Sequence, residues 1–209
     1  MQEGSVTYGG KTYSLEQPFF VLATQNPIEQ AGTYPLPEAQ LDRFLFQLTI
    51  GYPTEADELT MLARTTGAPP ARITPVMTAA EVLALQRLAR SLPISEPLLA
   101  YITRLVRATR DRSHPVAGPW IRWGAGPRAG QALVVAAKAR AVLAGRLAPT
   151  LADVQALAAP VLRHRLIRSF EAEADEIAPD RIIADLVAAV PPPTSPLAAT
   201  ESPGQGSRS

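Results

Sequence analysis

Gly10-Lys11-Thr12, inside the stretch YGGKTY, repeats the last three residues of the phosphate-cradling loop G-x-x-x-x-G-K-[ST]. In that loop, backbone amides and the lysine hold phosphates at the start of a helix. The spacing argues against such a site here. The glycine required five residues before Gly10 is Ser5, and Gly4 lies one residue too far. Val6-Thr7-Tyr8 and Lys11 to Leu15 are β-formers on either side of Gly9-Gly10. A Gly-Gly connection allows the positive φ angles of a primed hairpin turn. Pro18 also keeps a helix from growing directly out of Thr12. The stretch reads as a β-hairpin.

Three other positions carry side chains suited to phosphate chemistry. Asn26 follows a short apolar run, Phe19 to Thr24, that suits a strand buried on both faces. Open α/β sheets place ligands beyond such strand ends, and an amide there can orient a water or a phosphate oxygen. The bland alternative is a turn residue before Pro27. Arg43 sits in Leu41-Asp42-Arg43-Phe44, where apolar neighbours can hold a guanidinium toward an anion. A local or surface ion pair is the commoner use. Arg128, in Gly124-Ala125-Gly126-Pro127-Arg128, puts a cation in the first turn of a helix. The helix dipole disfavours it there by roughly 0.3–1 kcal/mol. An anion shared between Arg128 and the free amides of that helix end would compensate; a solvated arginine is equally open. Arg104, Arg107 and Arg110 on one helix face, and Arg163, His164, Arg165 and Arg168 further on, read as solvated faces.

The elements that must position these residues are of two kinds. Residues 1 to about 53 read as mixed α/β: the hairpin, a strand at 19–24, a short helix over about 37–43 with Pro37 at its first position, and a strand over 44–50. From Thr54 the pattern is helical. Thr54 caps a helix to about Thr65, and Thr78-Ala79-Ala80-Glu81 is a capping box for the next, to about Ser91. Leu98, Tyr101, Ile102, Leu105, Val106 and Thr109 share one helix face. Pro127 opens a long alanine-rich helix that Gly145 terminates. A helix from Thr150 reaches about Ala159, where Pro160 is expected to kink or restart it. Pro179-Asp180 opens the last, with Ile182, Ile183, Leu186, Val187 and Val190. Residues 191–209 are rich in Pro, Ser and Gly and read as a disordered tail.

Composition limits the functions available. The chain is 46% hydrophobic and 19% charged, with a net charge of +1. That balance gives no electrostatic case for nucleic acid or an anionic membrane surface. The absence of cysteine excludes disulfides and thiolate metal sites, and two histidines exclude a histidine-rich one. No apolar run approaches the roughly 20 residues of a membrane span. The opening residues have no signal-peptide pattern, so the cytoplasm is the expected compartment.

The run FFVLATQNPIEQAGTYPLPEAQLDRFLFQLTIGYPTEADEL resembles the MoxR family of AAA+ ATPases, and the likeness continues through WIRWGAGPRAGQALVVAAKARAVLAGR and VLRHRLI. The resemblance implies an incomplete P-loop NTPase core, α/β, over residues 1–53, followed by an all-α lid domain over residues 54–190. It implies that Gly9-Gly10 is the turn of the hairpin preceding sensor 1. Asn26 then aligns with sensor 1, Arg43 with the arginine finger supplied in trans, and Arg128 with sensor 2 at the γ-phosphate. The cofactors implied are ATP and Mg²⁺, with the Mg²⁺ ligands outside this chain. Self-association into a hexameric ring and partners with von Willebrand factor A domains are implied likewise. Gly126 departs from the family's usual Ser and weakens a helix cap. The Walker A and Walker B segments lie upstream of the hairpin in this family and find no match here, so the chain alone is expected to be inactive. Remodelling of partner proteins by the intact ATPase is the leading expectation. A truncated, non-catalytic helical module that assembles with intact relatives is the alternative. The first 50 or so residues are expected to be marginally stable beside a better-folded helical domain.

Overall fold

A computed structural model of the protein describes residues 4–25, 36–67 and 73–193. In chain order these form β1 (Ser5–Tyr8), β2 (Lys11–Ser14), α1 (Glu38–Leu41), α2 (Glu55–Thr65), α3 (Ala79–Ser91), α4 (Glu96–Ala108) and α5 (Ala117–Trp120). They continue with β3 (Ile121–Trp123), α6 (Pro127–Leu143), α7 (Leu151–Leu162), a 3₁₀ turn at Arg163–Arg165, β4 (Ile167–Arg168), α8 (Phe170–Ala174) and α9 (Pro179–Ala189). Two compact units divide the chain: Met1–Leu22 with Leu48–Leu85, and Ala23–Gln47 with Gln86–Ser209.

In the first unit β1 and β2 pair antiparallel, Val6 opposite Tyr13 and Tyr8 opposite Lys11. Gly9 and Gly10 have φ of 58° and 76°, the left-handed pair that a primed two-residue turn demands. The hairpin reading of YGGKTY therefore holds. Thr54 caps α2 by accepting from the Asp57 amide at 3.3 Å. Thr78 and Glu81 form the reciprocal box at the start of α3: the Thr78 amide donates to Glu81 Oε2 at 2.7 Å, and the Glu81 amide to Thr78 Oγ1 at 3.3 Å. None of the described residues in this unit is buried.

Two expected strands are absent. Residues 19–24 and 44–50 carry no strand pairing among the described residues. A strand exists only through hydrogen bonds to a neighbouring strand, and the described residues supply no neighbour for either run. The short helix is a single turn, Glu38–Leu41, with Pro37 extended at its N-cap rather than inside it.

The second unit owns a core. Leu98, Tyr101, Ile102, Leu105 and Val106 of α4, Ala129, Leu133 and Ala137 of α6, Val154, Ala158, Val161 and Leu162 of α7, and Ile182, Ile183 and Leu186 of α9 pack into one buried cluster. The alanines of α6 keep that helix slim on its inward side, so its neighbours approach closely. Gly145 ends α6 at φ 68°. Unlike the sequence expectation, α7 continues through Pro160 to Leu162. β3 and β4 form a second small antiparallel pair, Ile121 opposite Arg168.

Candidate functional site

The loop that launches α6 is fixed from beneath. Thr109 is 1% exposed, and its hydroxyl donates to the Val106 carbonyl at 2.7 Å while accepting from the Ala125 amide at 3.0 Å. Gly124 lies so close to the Thr109 carbonyl that a Cβ there would overlap it and would approach Arg110 Cγ to 2.7 Å. The chain then reaches Gly126, the N-cap of α6, which has no side chain to bond the first-turn amides. Pro127 follows at the first position and Arg128 at the second.

The carboxylate of Asp42 compensates the Arg128 charge. Arg128 Nη1 donates to Asp42 Oδ2 at 2.9 Å, across 86 residues of sequence. The other oxygen, Oδ1, accepts from Arg165 Nε at 2.9 Å. The two guanidiniums differ in exposure: the side chain of Arg128 is 39% accessible and that of Arg165 only 2%. Arg165 also donates through Nη2 to the carbonyls of Asp42 at 2.9 Å and Phe44 at 2.7 Å, and through Nη1 to Leu45 at 3.4 Å and to Val161. Burial pulls its guanidinium below the usual arginine value, while the hydrogen bonds to Asp42 push the other way. It remains charged.

Its neighbours extend the clamp. His164 Nε2 lies 3.1 Å from the Phe44 carbonyl, which only accepts, so Nε2 carries the proton. His164 Nδ1 is buried with no hydrogen-bond partner among the described residues. Burial, then the Arg165 charge, hold this imidazole's pKa below its ordinary value. The Gln47 amide donates to the Pro160 carbonyl at 2.9 Å, and Arg163 Nη1 to the Gln47 carbonyl at 2.8 Å. Arg163 is paired with Asp180 at 2.7 Å. Segment 42–47 is thus laid along the end of α7 by hydrogen bonds rather than by a sheet.

Of the three predicted site residues, Asn26 lies outside the described residues. Arg43 is exposed just after α1, and its guanidinium has no ion pair or side-chain hydrogen bond among the described residues. Arg128 is brought to Asp42, the residue beside Arg43. Two guanidiniums, Arg128 and Arg165, share the one Asp42 carboxylate, an excess of positive charge that favours an anion. The expected solvated face at 163–168 is a correction: Arg165 is buried, His164 half-buried, and Arg168 donates to the Ile177 carbonyl at 3.0 Å. Sequence reading missed Asp42 and Arg165. The available signal was that the basic run lies between the apolar pairs Val161-Leu162 and Leu166-Ile167, which leaves little room for a wholly solvated face.

Comparison with known proteins fits this arrangement. The family of ATPases associated with various cellular activities (AAA) matches residues 1–46, and the AAA lid domain family matches residues 116–186. The chain is 40% identical over 186 residues to the chaperone MoxR1 of Mycobacterium tuberculosis, covering 88% of this chain and 49% of that protein. It is 40% identical over 194 residues to YeaC of Bacillus subtilis, covering 92% of this chain and 59% of that one, and 33% identical over 167 residues to MoxR of Paracoccus denitrificans. A crystal structure of a candidate ATPase from Cytophaga hutchinsonii superposes with a TM-score of 0.84 at 37% identity, covering 91% of this chain and 59% of that one. The fold is therefore that of an AAA+ ATPase, part of the core with its helical lid. More narrowly, the chain belongs to the MoxR family of these ATPases. It spans about half the length of the first curated relative it matches.

Proposed function

We propose that this chain is the sensor-1, arginine-finger and lid portion of a MoxR-type AAA+ ATPase. The protein would bind and hydrolyse ATP at the subunit interfaces of a ring, a hexamer in the simplest case, working in the cytoplasm to remodel or activate partner proteins. Partners with von Willebrand factor A domains belong to this reading. Residues 1–53 would be core, 54–190 lid and the remainder a tail. Asn26 would orient the attacking water, Arg43 would reach the ATP of the neighbouring subunit, and Arg128 would read the γ-phosphate. Phosphoryl transfer needs mainly positioning and charge stabilisation, and an arginine finger is worth roughly 10³–10⁵ in turnover.

The observation that carries this reading is Arg43 itself: an exposed guanidinium, without an ion pair among the described residues, whose neighbour Asp42 is anchored by a buried arginine. A surface arginine with no task needs no such anchor. The uncapped first turn of α6 beside Arg128 suits a phosphate as well. Magnesium has no such fit. The described residues contain no cluster of three acidic, histidine or cysteine side chains that could hold a metal. The chain alone is expected to be inactive, because its sequence holds no G-x-x-x-x-G-K-[ST] loop.

The test is complementation. The chain is mixed with full-length MoxR1 whose own aligned finger arginine is replaced by alanine. Restored ATP turnover that disappears with Arg43→Ala supports the reading, and restoration by the Arg43→Ala chain would refute it. The second reading, a non-catalytic module, draws on the self-contained core of the helical unit. It predicts that the chain lowers the turnover of an unmodified relative.

A further inference from the structure

We propose that Arg165 is a positioning residue for Arg43: it clamps the backbone on both sides of that arginine and so sets where its guanidinium emerges. The inference rests on the reading of Arg43 as a residue that acts in trans.

One nitrogen of Arg165, Nη2, bonds the carbonyls of both Asp42 and Phe44, the residues that flank Arg43. Nε of the same guanidinium holds the Asp42 carboxylate. The backbone of Arg43 is therefore bracketed from one side, while its own side chain is left exposed. No other residue type could make this set of contacts. Lysine has three donors on one nitrogen and lacks the planar fork that spans a carboxylate and separate carbonyls. The cost of burying the charge makes the arrangement more telling: a guanidinium almost fully withdrawn from water is tolerable only with its donors satisfied. Here four of the contacts go to the segment that carries Arg43, and one to the Val161 carbonyl of α7.

Asp42 gives the clamp a second property. Its Oδ2 is held by Arg128, whose side chain is much more accessible than that of Arg165. If Arg128 turns to an anion, Asp42 keeps its bond to Arg165, and Arg43 keeps its place. The clamp thus holds whether Arg128 faces Asp42 or a phosphate. It also ties the residue offered to a neighbouring subunit to the end of α7.

The complementation assay with MoxR1 tests this with two further chains, Arg165→Met, which keeps length and loses every donor, and Arg165→Lys, which keeps the charge. Displacement by about 1 Å typically costs on the order of 100-fold in rate. The expected result is turnover 10- to 100-fold below that given by the unaltered chain, on the order of that penalty, at unchanged KM for ATP and without rescue by lysine. Hydrogen exchange on each chain by itself should show faster exchange at the Gln47 amide, with α4 and α6 still protected. If Arg165→Met fails to fold, Asp42→Asn serves in its place, with about a tenfold loss expected from removing one charge-assisted pair. Full turnover with Arg165→Met, while Arg43→Ala restores none, overturns the clamp and leaves the trans reading standing. Full turnover with Arg43→Ala, or none with the unaltered chain, removes the trans reading and the clamp together.

Discussion

Leu133 and Ile50 are both large aliphatic residues in strongly apolar stretches, yet Leu133 is 0% exposed and Ile50 is 92% exposed. The contrast runs through the two compact units. The helical unit buries the inward faces of its helices, although Leu143, Leu147 and Phe170 stand 85%, 86% and 81% exposed; no described side chain of the other unit is buried, and Phe20, Leu22, Leu48 and Tyr52 stand 83%, 79%, 71% and 92% exposed. Periodicity states which side chains want cover; it does not state what covers them. Helices satisfy their backbone internally and need only apolar partners, which the chain from Gln86 onward supplies. A strand needs its neighbour's backbone as well.

The largest effect that would test this contrast lies in the helical unit, at Asp153. Its carboxylate is 3% accessible and accepts from Arg146 at 2.6 and 2.7 Å, Arg140 at 3.1 Å, and the Thr150 amide at 2.8 Å. Arg140 and Arg146 are 54% and 36% accessible, so the cost of Asp153→Ala is that of its lost charge-assisted hydrogen bonds, about 1.5–3 kcal/mol each before water takes their place, together with the cap of α7. Asp153→Ala should therefore lower the urea midpoint of helical unfolding more than any surface change. The same network fixes a pH dependence. Hydrogen bonds from Arg146, then those from Thr150, hold the Asp153 carboxyl well below the usual carboxylate range in the folded state. The folded state thus binds fewer protons than the unfolded one in acid. The contribution is complete above the unfolded carboxyl value of about 4 and is lost as pH falls below it. Thermal melts from pH 6 to pH 3 should show this loss, and Asp153→Asn should flatten it.

Next in size is a paired comparison. Leu133→Ala should cost about 2–5 kcal/mol, as buried truncations do. Ile50→Ala should stay within about 0.5 kcal/mol, as exposed substitutions do. Equal losses at the two positions would mean that Ile50 is covered in solution, and the contrast between the units would fail.

Local signals were read most faithfully. The hairpin, the Thr78–Glu81 capping box, the apolar face of α4, the two ends of α6 and the start of α9 depend on residues within a turn or two of each other, so the sequence displays them directly. The strands at 19–24 and 44–50 failed because their pattern presumed partners that the described residues do not contain. Arg128 drew notice as a cation in a first helical turn, a violation visible locally. Its partner Asp42 was not visible, because the pair spans 86 residues. The burial of Arg165 is hidden for a related reason: four carbonyl and carboxylate contacts with residues far away in sequence satisfy a buried charge that looks solvated along the chain.

A smaller effect is expected at the loop before α6. Gly124→Ala would press a methyl group into the Thr109 carbonyl and against Arg110 Cγ at 2.7 Å. Overpacking of this kind typically costs about 1–3 kcal/mol. The measurement that isolates it is stability beside Gly126→Ala, where nothing lies within 4 Å of the added carbon. A larger loss at 124 than at 126 is expected. Equal losses would mean that the loop yields freely and does not fix the start of α6.

The smallest effect concerns the seam between segment 42–47 and the end of α7, where that segment is held by the side chains of Arg163, His164 and Arg165. His164 stands there neutral, with Nε2–H on the Phe44 carbonyl and Nδ1 buried without a described partner. Protonation would place a second donor where no acceptor waits, beside the Arg165 and Arg163 charges and only partly offset by Asp42. Its folded-state pKa is therefore lowered, so between that value and the unfolded one of about 6.5 the unfolded chain binds more protons. Stability must then fall as pH drops through that window and level off below the folded value. Melts at pH 7.5 and 5.5 should differ in this sense for the unaltered chain. His164→Gln, which keeps a donor for Phe44 and cannot ionise, should remove the difference without touching the acid loss assigned to Asp153. If the difference persists in His164→Gln, the titrating group lies elsewhere, and the seam between segment 42–47 and α7 is not pH-sensitive.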